Sequence, residues 1–183
     1  MNPDDSNSTQ SISLCEQLAE TCMLQCYLIE ALDLQMFEPR LRERSDAQAL
    51  VERTLDLLHQ HTSELSTLLQ PFPTGRRELA GSSARLARRF VGTSAQHRPH
   101  DVEPMLHNDF ALLNLAALNY QMLRTSADAM HNRPIAQFAE NHLRNLVALT
   151  HDLSRLFPPM KASELGRVMD ALSQELQPVE ACA

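Results

Sequence analysis

The chain has 183 residues, a formal net charge of −7, four glycines, two tyrosines and no tryptophan. That length suits one domain with a substantial core. The acidity and the lack of rings for stacking argue against a nucleic-acid surface, and no apolar run reaches the roughly 18 residues of a membrane span.

Residues 1–10, "MNPDDSNSTQ", are acidic and polar, and their composition predicts disorder rather than the basic start and apolar run of a signal peptide. A cytoplasmic, reducing location follows, in which structural disulfides are not expected. From Ser11 to Phe37 the residues Cys15, Leu18, Cys22, Gln25, Ile29, Leu32 and Met36 recur three and four apart, which predicts a first long helix. "FEP" ends it, because Pro39 disfavours helical backbone at Glu38. "SDAQ" at 45–48 reads as a capping box with Ser45 as cap and Gln48 reaching back. A second helix follows, carrying Val51, Leu55, Leu58, Thr62, Leu65 and Leu69.

Residues 76–98 hold six arginines against one acid, Glu78, and predict a short basic amphipathic helix in the connection. A third long helix is expected from Pro104 to His131, with Leu106, Phe110, Leu113, Ala117 and Tyr120 on its buried side. "HNRP" then leaves room only for a tight turn, so the fourth helix should run antiparallel to the third. Its stripe is the cleanest in the chain: Ile135, Ala139, His142, Leu146, Leu149, Leu153 and Leu156. "FPPMKAS" stops it, and Leu165, Val168 or Met169, Leu172 and Leu176 predict a short C-terminal helix. The expected fold is all-α: an antiparallel four-helix bundle over 11–157, with residues 158–183 forming an outer amphipathic helix and tail.

The motifs "CYLIEAL", "ALVERTLDLLHQHTSEL", "LNYQMLRTSADAM" and "AQFAENHLRNLVALTHDLSRL" resemble, in that order, the four helices of a bacterial family of small ferritin-like bundles associated with stress responses. The resemblance covers about residues 15–157 and implies a ferritin-like topology. In that family, carboxylates and histidines from all four helices hold two metal ions. Carried over by position, Glu30 is similar to the helix-one glutamate and Asp56 to the helix-two ligand. Ala116 stands where the family has an acidic ligand, and Arg144, Asn145 and Leu146 fill its glutamate-rich stretch. Neither Glu-x-x-His pair is present, so the resemblance implies the fold without the di-metal chemistry.

Glu30, Asp56 and His142 remain the candidate residual metal ligands, with Cys15, Cys22 and Cys26 as a soft-metal alternative on one face of helix one. The competing reading makes the cysteines small core hydrophobes. His142 would then be a core histidine bonded to Asp56, Glu30 or Tyr120. His59, His61 and Glu64 on helix two could clamp a surface ion, though adjacent surface histidines usually meet only water. No nucleophile elbow, phosphate loop or HExxH motif is present, so no enzyme is expected and no cofactor is implied. Arg76, Arg77, Arg85, Arg88 and Arg89 are the candidate contact for an acidic protein partner, and a homo-oligomer is the other expected assembly.

Overall fold

The computed structural model describes residues 3–70, 102–163 and 166, with side chains from Leu14 onward. These residues are helical with no strand among them. The helices are α1 (Pro3–Gln35), α2 (Pro39–Arg42), α3 (Ser45–Leu69), α4 (Val102–Ala129) and α5 (Arg133–Ser154). A further helical stretch covers 157–163. The basic segment 76–98 and the residues from 167 onward lie outside the described part.

Local chemistry explains most boundaries. Glu38 is extended (φ −74°, ψ 118°) and Pro39 opens α2, as its fixed φ and missing N–H favour. Between α4 and α5 the chain reverses through a Schellman motif, in which Asn132 N–H reaches Ala127 O at 2.8 Å and His131 N–H reaches Asp128 O at 3.0 Å. His131 takes the left-handed position at φ 53°, a place that favours glycine. Asn132 then caps α5, its side-chain oxygen accepting from Ile135 N–H at 3.3 Å.

Three expectations need correcting. Helix α1 begins at Pro3 rather than Ser11, so residues 3–10 belong to the helix. Ser45 is the first residue of α3 and not its cap; Arg44 holds the cap position with no side-chain capping bond, its guanidinium turning to Asp46. Gln48 instead donates to Glu52 at 2.8 Å. Finally, "FPPMKAS" ends α5 but also carries the helical stretch 157–163, because prolines are tolerated in a first turn.

Each of the four long helices packs on two others: α1 on α3 and α4, and α5 on α3 and α4. Side-chain bonds give the directions. Gln25 of α1 meets Tyr120 of α4, and Gln35 meets Asp109, so the partner number falls as the α1 number rises. The pairs Arg53–Asp152 and Glu64–His142 do the same for α3 and α5. Arg124–Glu140 and, just past the end of α5, the stacked rings of His107 and Phe157 do it for α4 and α5. Neighbouring helices therefore run in opposite directions, and Leu69 and Val102 stand at opposite ends of the packed helices. The core between them is mostly leucine, with Leu18, Leu28, Leu58, Leu65, Leu106, Leu123 and Leu146 fully buried. Burying each such side chain is worth about 1.5–3 kcal/mol.

Candidate functional site

Halfway along the helices the leucine core is interrupted by four polar side chains, one from each long helix. Gln25 (α1), His61 (α3) and Tyr120 (α4) are fully buried, and His142 (α5) is nearly so. Gln25 Nε2 donates to the Tyr120 hydroxyl oxygen at 2.6 Å and lies 3.2 Å from His61 Nδ1. The Gln25 carbonyl accepts from the Thr62 hydroxyl at 3.3 Å. The His61 and His142 rings meet edge to face with centroids 3.7 Å apart, and Phe138 closes over His142 at 4.2 Å.

A neutral imidazole carries one proton, so His61 accepts from only one of the two amide nitrogens beside it, Gln25 Nε2 at Nδ1 or Asn145 Nδ2 at Nε2. The side-chain nitrogen of Asn145 lies 3.4 Å from His61 Nε2. His142 donates from Nε2 to Glu64 Oε2 at 2.9 Å, which leaves a lone pair on Nδ1. That Nδ1 is buried and has no partner among the described residues.

Burial holds the imidazoles neutral. Desolvation, reinforced by the neighbouring His142, pushes His61 down to about 3. Desolvation also lowers His142, against the opposing pull of Glu64. The Tyr120 hydroxyl is driven well above its ordinary range by burial, so it stays protonated.

One layer toward the other end sits a second polar pair. Asp109, almost fully buried, accepts from Gln35 Nε2 at 2.7 Å. Its other oxygen, Oδ2, and the Gln35 Oε1 are both buried without a donor among the described residues. A proton on the carboxyl would join those two acceptors. Desolvation raises the acid to about 7, against the Gln35 hydrogen bond that lowers it.

The residues singled out in the sequence do not converge. Glu30 and Asp56 are exposed, and His142 turns to Glu64 rather than to either of them or to Tyr120. Ala116 and Leu146 are buried as apolar core. The residues that do meet in the core are an amide, a phenol and two imidazoles, a set without the carboxylates that a di-metal centre needs to balance its charge. Among the described residues no three His, Cys, Asp or Glu side chains are grouped to hold an ion. His61 was read as exposed and is fully buried, at the level of Leu58 and Leu65.

The cysteine face divides. Cys15 and Cys22 are buried, but Cys26 is exposed, because it lies about 40° further round α1 than Cys22. It borders an open groove of about 430 Å³ with Glu30, Phe37, His59 and Thr62. The Cys22 thiol donates a hydrogen bond to Cys26, lowering Cys26 to about 7 against desolvation that raises it. The same contact, then burial, pushes Cys22 up.

The outer side of α4 departs from the usual pattern of a helix with one buried face. Leu115, Leu118 and Met122 are 40%, 50% and 51% exposed. No charged residue occurs from Phe110 to Leu123, in a chain that is 21% charged. No described helix is long and apolar enough to cross a membrane. No protein-family model, curated protein or solved structure matches the chain.

Proposed function

We propose that the protein is a non-enzymatic, antiparallel four-helix bundle of ferritin-like connectivity that acts through protein–protein contacts. The observation that carries this reading is the outer face of α4, where Leu115, Leu118 and Met122 stand in water with no charged residue over four turns. Large exposed apolar patches mark interaction sites, and depletion of charge is the compositional signature of an interface centre. The interior supports the same reading from the other side. Gln25, His61 and Tyr120 are fully buried and out of reach of a substrate, with Gln25 bonded to Tyr120 and Thr62. The arginines at 76, 77, 85, 88 and 89 are proposed as a second contact, for an acidic protein partner. A stress-related, cytoplasmic role rests on the family resemblance and the N-terminal composition.

The test compares the protein with a Leu115→Glu, Leu118→Glu variant, by light scattering for self-association and by pull-down for other partners. The reading requires some complex that the variant loses while its helical signal is unchanged. A wild-type protein that is monomeric and captures nothing would refute it.

A metal-binding or redox role is favoured by one observation, the unpartnered lone pair on His142 Nδ1. A carboxylate behind a histidine is the arrangement that orients metal ligands. Elemental analysis of protein purified without chelator decides: one equivalent of iron, manganese, zinc or copper, lost in His142→Leu, would replace the contact reading.

A further inference from the structure

We infer that the outer face of α4 is a self-association seam that takes the same helix of a second copy of this chain, antiparallel across a two-fold axis near residue 120. The inference rests on the contact function proposed above and names its partner. Ala111, Leu115, Leu118, Met122, Thr125 and Ala129 recur at intervals of four, three, four, three and four, and all six are exposed. That is the spacing of a coiled-coil seam. It is separate from the inward stripe of the same helix, which runs through Leu106, Asp109, Leu113, Ala116, Tyr120 and Leu123. A helix buried on one side ordinarily turns charges to the other. Here the other side is apolar too.

Three features select a second copy as the occupant. The first is charge. The chain carries −7, so two copies repel each other over most of their surface. A neutral face meets no such repulsion, and residues 110–123 supply one. A basic partner would be met by acids, and an acidic partner by arginines; the seam offers neither.

The second feature is symmetry. A two-fold interface must be complementary to itself, and the spacing of this stripe reads the same in both directions about residue 120. Laid antiparallel, Leu118 opposes Met122 of the second copy, Leu115 opposes Thr125, and Ala111 opposes Ala129. Bulk meets bulk at the centre, and small residues let the backbones approach at both ends. A shift of one heptad either way would leave four of the six positions engaged.

The third feature is the margin of the seam. Asn119 and Gln121 oppose each other in the same arrangement, as do Asn114 and Ser126. Each pair joins side chains that both donate and accept, so two identical copies can satisfy them. Arg124, the nearest cation, is already turned to Glu140 and Asp128. The seam runs about 27 Å along the helix, a contact at the small end of specific interfaces, so the expected Kd is on the order of micromolar.

The experiment uses the full chain in a Cys26→Ser, Cys182→Ser background, followed by sedimentation equilibrium. The expected result is a reversible dimer that Leu118→Arg converts wholly to monomer, with helical signal unchanged, and with melting temperature unchanged at concentrations below the dissociation constant because the side chain is exposed in the monomer. Oxidation of a Leu118→Cys, Met122→Cys variant should give a covalent dimer on a non-reducing gel, and Leu118→Cys alone far less. A wild-type monomer well above micromolar concentration, or a dimer indifferent to Leu118→Arg, overturns the inference. So does efficient cross-linking of Leu118→Cys alone, which would report parallel helices. A monomer that still captures a different protein, in a manner Leu118→Arg abolishes, overturns the second-copy seam while leaving the contact function standing.

Discussion

Replacing Asp109 with asparagine keeps the shape of the side chain and removes only its ability to ionise. In the folded protein the carboxyl titrates at about 7, against 3.8 without burial. The unfolded chain therefore gives up this proton first as the pH rises. Between those two values folding must retain a proton that the solvent would take, and stability falls; above about pH 7 the loss is complete. At about 1.4 kcal/mol per pH unit, that gap corresponds to about 4 kcal/mol. Asparagine cannot ionise in either state, so the loss disappears. Its carbonyl still accepts from Gln35 Nε2, and its amide supplies the donor that the Gln35 Oε1 lacks. Asp109→Asn should thus gain about 2–4 kcal/mol near pH 8 and almost nothing near pH 4. For a chain of this size that is a rise in melting temperature of about 5–15 °C at the higher pH. Thermal unfolding followed by circular dichroism at the two pH values measures it. A variant no more stable than wild type near pH 8 would show that burial does not raise the Asp109 carboxyl, and the account of a shared proton would fail.

The acid side behaves oppositely: His61 at about 3 and the lowered His142 are neutral when folded, so the unfolded chain protonates first below about pH 6.5 and stability falls with pH. Asp109→Asn removes the opposing gain, and its urea midpoint should drop more steeply between about pH 6.5 and 4 than that of wild type. His142→Leu should be tolerated or stabilising, since it relieves the unpaired Nδ1 and frees a Glu64 that is 46% exposed, whereas His142→Ala should lose about 2–4 kcal/mol to a cavity, as chemical denaturation would report. Cys26 should alkylate with half-maximal rate near pH 7 while Cys22 stays inert, and Cys22→Ala should shift that midpoint upward, a result that mass spectrometry of iodoacetamide-treated protein resolves. His131→Gly should raise stability by about 0.5–1 kcal/mol by relieving the left-handed backbone at φ 53°.

The fifth helix was the most legible element, because its stripe alternates four and three without exception and six of its seven positions are buried. Gln25 and Tyr120 were placed inward by the same logic. Asp109 was missed because a carboxylate reads as surface, which pushed the buried side of α4 onto Phe110 and Ala117. The observed stripe passes through Asp109 and Ala116 instead, a strict three-four alternation that only a protonated acid makes acceptable. His61 was missed for a related reason: beside His59 it looks solvated, and Thr62 fits the apolar spacing equally well. Both are within one position of the inward line, where the drift of a 3.6-residue turn against a seven-residue repeat decides which one points in. The uncharged run on α4 was visible in the sequence from the start, but its meaning depends on knowing which side of the helix is already covered.

The two polar layers account for something the leucines leave open. A seam of leucines repeating every seven residues packs nearly as well after a slide of one heptad, because each side chain meets another of the same kind. Between α1 and α4 such a slide would set Gln25 against Leu113 or Ala127, and could bring Asp109 against Leu28, all buried apolar residues. Each polar group stranded in this way costs about 1–3 kcal/mol, and both layers would be stranded at once. The observed alignment pairs Gln25 with Tyr120 and Gln35 with Asp109, ten residues apart on α1 and eleven on α4, and no whole-heptad shift restores both. The layers lower the stability that an all-leucine core would reach, and in exchange they leave one register in which every helix can settle. The alignment of four helices depends on hydrogen bonds at that level, whether or not those groups hold anything else.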